Sequence, residues 1–257
     1  MAENNQLKNV IQELSEKAPL VHNITNYVVM NNTANALLAI GASPVMAHAI
    51  EEAADITTIS SALVINIGTL SPKWVEAIEI AMQKANELNK PIVLDPVGVG
   101  ASTYRTETSI KLAANYKPSV IRGNASEIMA LAQFSNSTKG VDSTVSSDNA
   151  LDAAKALSQE LNNTIVISGE TDYIVTGDRV DQVTGGSAMM AKVTGMGCTA
   201  TAMIGACLAV NSDYHGAAIN AMEIMGKAGS AAEKISNGPG SFQMNFLDAL
   251  YQLTREQ

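Results

Sequence analysis

The residues Thr194-Gly195-Met196-Gly197-Cys198-Thr199-Ala200-Thr201-Ala202 join a glycine turn to an apolar, small-residue helix running to about residue 210. Glycines let the backbone approach a ligand closely. The first amides of such a helix lack intrahelical partners and carry the positive end of its dipole. This opening is therefore a natural anion site, for phosphate above all. Cys198 falls in the first turn, where the same field favours a thiolate. An alternative stands beside this reading: glycines that ease tight packing, with Cys198 as a small buried hydrophobe. Further polar residues close apolar, strand-like stretches. Asp95 precedes Pro96, so the chain turns away there and leaves the carboxylate at a rim, or makes Asp95 a turn or cap residue. Arg122 and Ser168 end two more such stretches. In doubly wound α/β folds, ligands collect outside the carboxyl ends of the strands. Glu127 stands three residues after Asn124, the spacing of a capping box, and it also brings a second carboxylate to that rim. Two carboxylates, one arginine and a glycine-rich helix start converging on one rim would suit a phosphate–magnesium site, beside the reading of Asp95 and Glu127 as cap residues. Oxygen ligands and bridging waters are the usual means of holding Mg²⁺ beside nucleotide phosphates. No Gly-Lys-Ser/Thr element occurs, so the arrangement is not a Walker A loop.

These residues need elements to hold them. Residues 6–17 carry Leu7, Val10, Ile11 and Leu14 at helical spacing, an amphipathic first helix. Residues 19–27 read as a short extended piece followed by polar side chains. A helix over 28–40 then stops at Gly41. Asn23, Asn26, Asn31 and Asn32 are unusual here and serve either as caps and turns or to face a polar ligand. A short strand is expected over 43–47 and a helical turn over 51–54. Residues 62–68 and 91–96 are apolar runs of the kind buried on both faces of a parallel sheet. Between them Ser71-Pro72 starts a helix to about residue 89. A flexible loop from Gly98 leads to a helix ending near Tyr116, then a strand over 119–123 and a helix from Asn124. Strict alternation of strand and helix implies right-handed crossovers and a mostly parallel sheet. Residues 135–147 read as a surface loop and 148–161 as a helix. The close-spaced strands over 164–169, 172–178 and 179–183, with Gly-Asp turn signals, then predict an antiparallel edge. Three helices follow, over 198–210, 215–235 and 242–253. With no linker or repeat, the chain is expected to form one three-layer α/β domain.

Composition bounds the function. The 257 residues are 46% hydrophobic and 16% charged, a globular balance rather than a disordered one. A net charge of −9 argues against a nucleic-acid or anionic-membrane surface. An anionic cofactor must then be held by local donors or a metal ion. No apolar run reaches bilayer-spanning length. Residues 1–8 lack the apolar core of a signal peptide. Cys198 and Cys207, the two cysteines, point to opposite sides of one predicted helix and cannot pair. The cytoplasm is the expected compartment.

The order HNITNYVVMNNTANALLAIGASPVMAHA, LVINIGT, DPVGVGA, RGNASEI and TGMGC resembles the hydroxyethylthiazole kinases of thiamine salvage, in the ribokinase-like superfamily. The resemblance runs from about Val21 to the last helix. It implies a ribokinase-like fold and ATP-dependent phosphorylation of the hydroxyl of 4-methyl-5-(2-hydroxyethyl)thiazole. It further implies that Asn26, Met46 and Gly68 line the thiazole pocket and that Gly195 lies near the substrate. Asp95 and Glu127 would serve Mg²⁺ and the phosphates, Arg122 and Ser168 would contact ATP, and Gly197 with Cys198 would form the anion hole. Members of the family look like trimers with the pocket near a subunit boundary. Most ribokinase-like kinases place a base, Asp, where this chain has Cys198. The substitution suits the thiazole kinases but weakens a simple base assignment. Two rival readings are a kinase of another small alcohol, such as hydroxymethylpyrimidine, and a Cys198-dependent transferase or hydrolase using His22, His48 or His215. A third is a nucleotide-binding regulator without turnover.

Overall fold

The computed structural model describes residues 2–136 and 148–255. Its elements are α1 (Ala2–Lys17), β1 (Leu20–Ile24), α2 (Met30–Ala39), β2 (Ser43–Val45), α3 (Ala53–Ile59), β3 (Ala62–Asn66), α4 (Pro72–Glu87) and β4 (Ile92–Asp95). They continue with α5 (Thr103–Tyr116), β5 (Val120–Asn124), α6 (Ala125–Asn136), α7 (Asp148–Leu161), β6 (Thr164–Ser168), β7 (Thr171–Thr176) and β8 (Arg179–Thr184). A short 3-10 helix, Ala188–Lys192, precedes α8 (Met196–Val210), α9 (Tyr214–Glu233) and α10 (Pro239–Leu253).

The strands form one sheet in the order β2-β1-β3-β4-β5-β6-β7-β8. From β2 to β6 every pairing is parallel, and β7 and β8 add the antiparallel edge. Within a strand, successive side chains go to opposite faces. Val64 and Val93 accordingly join a core with α1, α2, α8, α9 and α10. Leu63, Ile65, Ile92 and Leu94 join a second core under α3 to α7. The sheet is thus buried on both faces, which explains why its strands read as unbroken apolar runs. Parallel register also aligns the strand ends: Asn66 pairs with Asp95 and Asn124 with Ser168. A single row of polar side chains results along the carboxyl edge.

Local signals account for most boundaries. Ser71 Oγ accepts the Trp74 amide at 3.3 Å, with Pro72 in the first helical position. Some expectations need correction. The helix expected over 28–40 starts only at Met30, because Asn26 and Val29 first form a turn. The turn expected over 51–54 is a helix reaching Ile59, packed against α4. The 3-10 helix was not foreseen. It starts where Ser187 Oγ accepts the Met189 amide. The loop expected over 135–147 falls outside the described residues apart from its first two, which end α6.

Candidate active site

Gly195 caps α8 with φ at +86°, a left-handed conformation that a side chain resists. The turn leaves the Gly197 and Cys198 amides in the first turn of the helix, ahead of its first intrahelical bond from Thr199 to Gly195. At Gly197 a Cβ would come within 2.6 Å of Arg122 Nη1. The arginine on β5 can therefore lie flat against the helix start only because this residue is glycine. Arg122 Nη2 donates to Ser168 Oγ at the end of β6, while its Nη1 stands 3.6 Å from Asp95 Oδ2. Arg122, Ser168, Gly195, Gly197, Met222 and Met225 are among the residues that line an open cleft of about 1010 Å³.

Asp95 lies behind this cleft, fully buried at the end of β4. Its Oδ2 accepts from Asn66 Nδ2 at 2.9 Å and from Thr201 Oγ1 at 2.7 Å, whereas Oδ1 has no partner. Burial pushes its pKa up to about 6, opposed by the Arg122 charge and the Thr201 hydroxyl. Glu127 forms the capping box that its spacing predicts: Asn124 Oδ1 accepts the Glu127 amide, and Glu127 Oε2 accepts the Asn124 amide, both at 2.9 Å. Its Oε1 accepts the Gly98 amide at 2.9 Å and ties down the loop after β4. Both carboxylate oxygens are thus engaged by backbone.

On the other side of Asp95, Asn26 Nδ2 donates to Asn66 Oδ1 at 2.8 Å and lies 3.5 Å from Cys198 Sγ. Gly68 donates its amide to Asn66 Oδ1 at 3.0 Å, and a Cβ there would sit 2.6 Å from Asn26 Nδ2. Asn26, Gly68 and Cys198 therefore form one group with Asp95. Met46 does not join it; the residue follows β2, the far edge strand, and does not line the cleft. At Cys198 the thiolate that a helix start favours is opposed. Burial, and then the Asp95 charge, push the thiol above its ordinary pKa, and the opposing hydrogen bonds of Asn66 and Asn26 and the charge of Arg122 do not offset them.

The structure adds three residues that the sequence did not single out. Asn66 and Thr201 hold Asp95. Arg105 on α5 donates to the carbonyls of Ile67, Val97 and Gly68 at 2.7–2.8 Å and so binds together the loops after β3 and β4. An asparagine at the end of an apolar strand carries the same signal as Asp95. Thr201 gave none, being one small residue in a helix full of them.

The histidines stand in other networks. His22 bonds Thr57 Oγ1 and the Ala47 carbonyl, His48 stacks on Trp74, and His215 bridges Thr176 and Asp181. Each is accounted for away from Cys198, so no Cys–His pair forms among them. A mostly parallel sheet with an antiparallel edge, whose carboxyl end gathers the start of α8, an arginine and a buried aspartate, is the ribokinase-like α/β architecture. A ribokinase-like superfamily protein from Enterococcus faecalis shares it, with a TM-score of 0.68 over 97% of this chain and 94% of that one, at 14% identity.

The hydroxyethylthiazole kinase family profile matches residues 11–256, and the chain belongs to that family. A hydroxyethylthiazole kinase of Leptospira biflexa is 54% identical over 253 residues, covering 97% of this chain and 95% of the relative. The solved structure of a hydroxyethylthiazole kinase protein from Pyrococcus horikoshii superposes with a TM-score of 0.89 at 40% identity, covering 96% of this chain and 92% of that one. No helix among the described residues is long and apolar enough to cross a membrane.

Proposed function

We propose that the chain, acting as a single kinase domain, transfers the γ-phosphoryl group of ATP to the hydroxyl of 4-methyl-5-(2-hydroxyethyl)thiazole. The observation that carries this reading is the junction at Gly197, where the α8 amides, Arg122 and the Asp95 carboxylate meet between the cleft and the Asn26–Gly68–Cys198 group. The cleft takes ATP, with Arg122 and Ser168 on its phosphates. The thiazole occupies the opposite side, against Asn26 and Gly68, with Gly195 at the boundary. The migrating group then passes over the Gly197 and Cys198 amides, already aligned as donors for developing charge.

Phosphoryl transfer has a loose transition state, so positioning and charge stabilisation carry most of the rate. This suits Cys198, which as a thiol orients the alcohol more than it deprotonates it. Magnesium fits the donors present: Asp95 Oδ1 is a buried carboxylate oxygen without a partner. The ion would be held by this carboxylate, waters and phosphate oxygens. When bound, it neutralises phosphate charge. Glu127 contributes its charge from the second shell of water, since backbone amides hold both its oxygens. Met46 joins the pocket from a neighbouring protomer in a homotrimer. Tyr27 and Val28, both more than 60% exposed beside Asn26, provide apolar surface for that contact. The cytoplasm, where ATP is supplied, is the compartment.

The test is ADP release from Mg-ATP with hydroxyethylthiazole or hydroxymethylpyrimidine as the acceptor. Release that depends on the thiazole, with little for the pyrimidine, is expected. Silence with both acceptors despite ATP binding would remove the kinase reading.

A further inference from the structure

The Asn66 side chain has every polar group engaged. Its Oδ1 accepts from Asn26 Nδ2 and from the Gly68 amide, and its Nδ2 donates to Asp95 Oδ2. It is almost fully buried, at the last position of β3, in register with Asp95 on β4. One planar amide thus fixes, at once, two groups on the proposed thiazole side and the carboxylate on the phosphate side. Thr201 donates to the same Asp95 oxygen and leaves only Oδ1 unpartnered. A freely turning carboxylate would offer either oxygen; this one is held.

We propose that Asn66 is the positioning residue that couples the acceptor side of the site to Asp95, clamping Oδ2 so that Oδ1 alone faces the phosphates and their magnesium. The proposal rests on the kinase reading above. Two consequences separate it from a merely structural role. Losing the Asn66 amide releases Asp95 Oδ2 together with Asn26 and Gly68, so the Mg²⁺ requirement and the thiazole KM should rise together. Losing Thr201 Oγ1 releases Asp95 alone, so the first should rise and the second should not.

Asn66→Ala removes the amide, and Thr201→Val removes only the other donor to Asp95 Oδ2. In Asn66→Ala we expect kcat to drop about tenfold or more, with the thiazole KM and the Mg²⁺ concentration for half-maximal rate each raised several-fold. Thr201→Val should raise the Mg²⁺ requirement in the same direction and leave the thiazole KM within about threefold. A second readout needs no turnover: thiazole binding to the protein without nucleotide or Mg²⁺, measured by calorimetry, should weaken several-fold in Asn66→Ala and stay unchanged in Thr201→Val. An Asn66→Ala variant that raises only the thiazole KM, or only the Mg²⁺ requirement, overturns the coupling. If Asn66→Ala does not fold, Asn66→Ser replaces it with the same expected outcome. A wild type that binds thiazole without turning it over instead overturns the kinase reading, and then unchanged thiazole binding in Asn66→Ala overturns the coupling separately.

Discussion

Asp95 sits where a carboxylate is costly. Its folded pKa of about 6 lies above the ordinary 3.8, so the protein prefers it protonated. The resulting stability is fully present below pH 4 and is lost as pH rises through 6, leaving an ionised Asp95 at neutral pH at a cost of about 3 kcal/mol. Asp95→Asn keeps an acceptor for Asn66 and Thr201 and removes the charge. It should melt higher than the wild type at pH 8, with the gap closing toward pH 4, while turnover disappears. Melting curves at the two pH values check this; an equal or lower midpoint at pH 8 contradicts it. Gly197 is under a different constraint. A valine there must displace the Arg122 guanidinium, whereas Cys198→Ala removes only a protonated thiol. Gly197→Val should therefore lose more kcat than Cys198→Ala. General acid–base help from Cys198 is capped at ~10²- to 10⁴-fold and falls short of that for a thiol pushed upward. The reverse order in steady-state assays would make the thiol, not the amides, the main contributor.

Helix α8 is the element on which the site depends. Its amides face the cleft, its Thr201 holds Asp95, and its Gly205 lets it lie on β3, since a methyl there would overlap Val64 Cγ2. Gly205→Ala gains up to about 1 kcal/mol of helix propensity but overpacks the core at a cost of about 1–3 kcal/mol. Chemical denaturation should show net destabilisation; a more stable variant would mean that α8 is free to shift. The alternation of apolar runs with capped helices made this architecture readable from the chain, down to the antiparallel edge and the capping box at Asn124 and Glu127. Elsewhere the physics was less local. The β-branched Ile56-Thr57-Thr58-Ile59 is a poor helix former alone and is helical because it packs on α4. Asp95, Arg122, Ser168 and the glycine turn could be placed on one edge from strand order alone. Asn66 ends an apolar strand as Asp95 does, but its role, like that of Thr201, comes from side-chain register between strands and across to a helix and is not legible in the chain. The ionisation of Cys198 misled for a related reason: its position in a helix suggests a thiolate, while its burial beside Asp95 decides otherwise.

At the scale of the molecule, the sheet divides the chemistry. In the proposed reading, ligands of opposite character meet along its carboxyl edge, ATP over β5 and β6 and the apolar alcohol over β1 and β3, with β4 and its aspartate between them. A net charge of −9 makes this arrangement necessary, since phosphates cannot be drawn in by the overall field and must be captured by local donors. In the proposed reaction the γ-phosphoryl group crosses that boundary to the thiazole alcohol. The most direct measurement is to supply Mg-ATP labelled with ¹⁸O in the γ-phosphoryl group and to follow the label by mass spectrometry. The label should appear in the phosphate ester of hydroxyethylthiazole. Label found only in inorganic phosphate, with the alcohol unchanged, would contradict it.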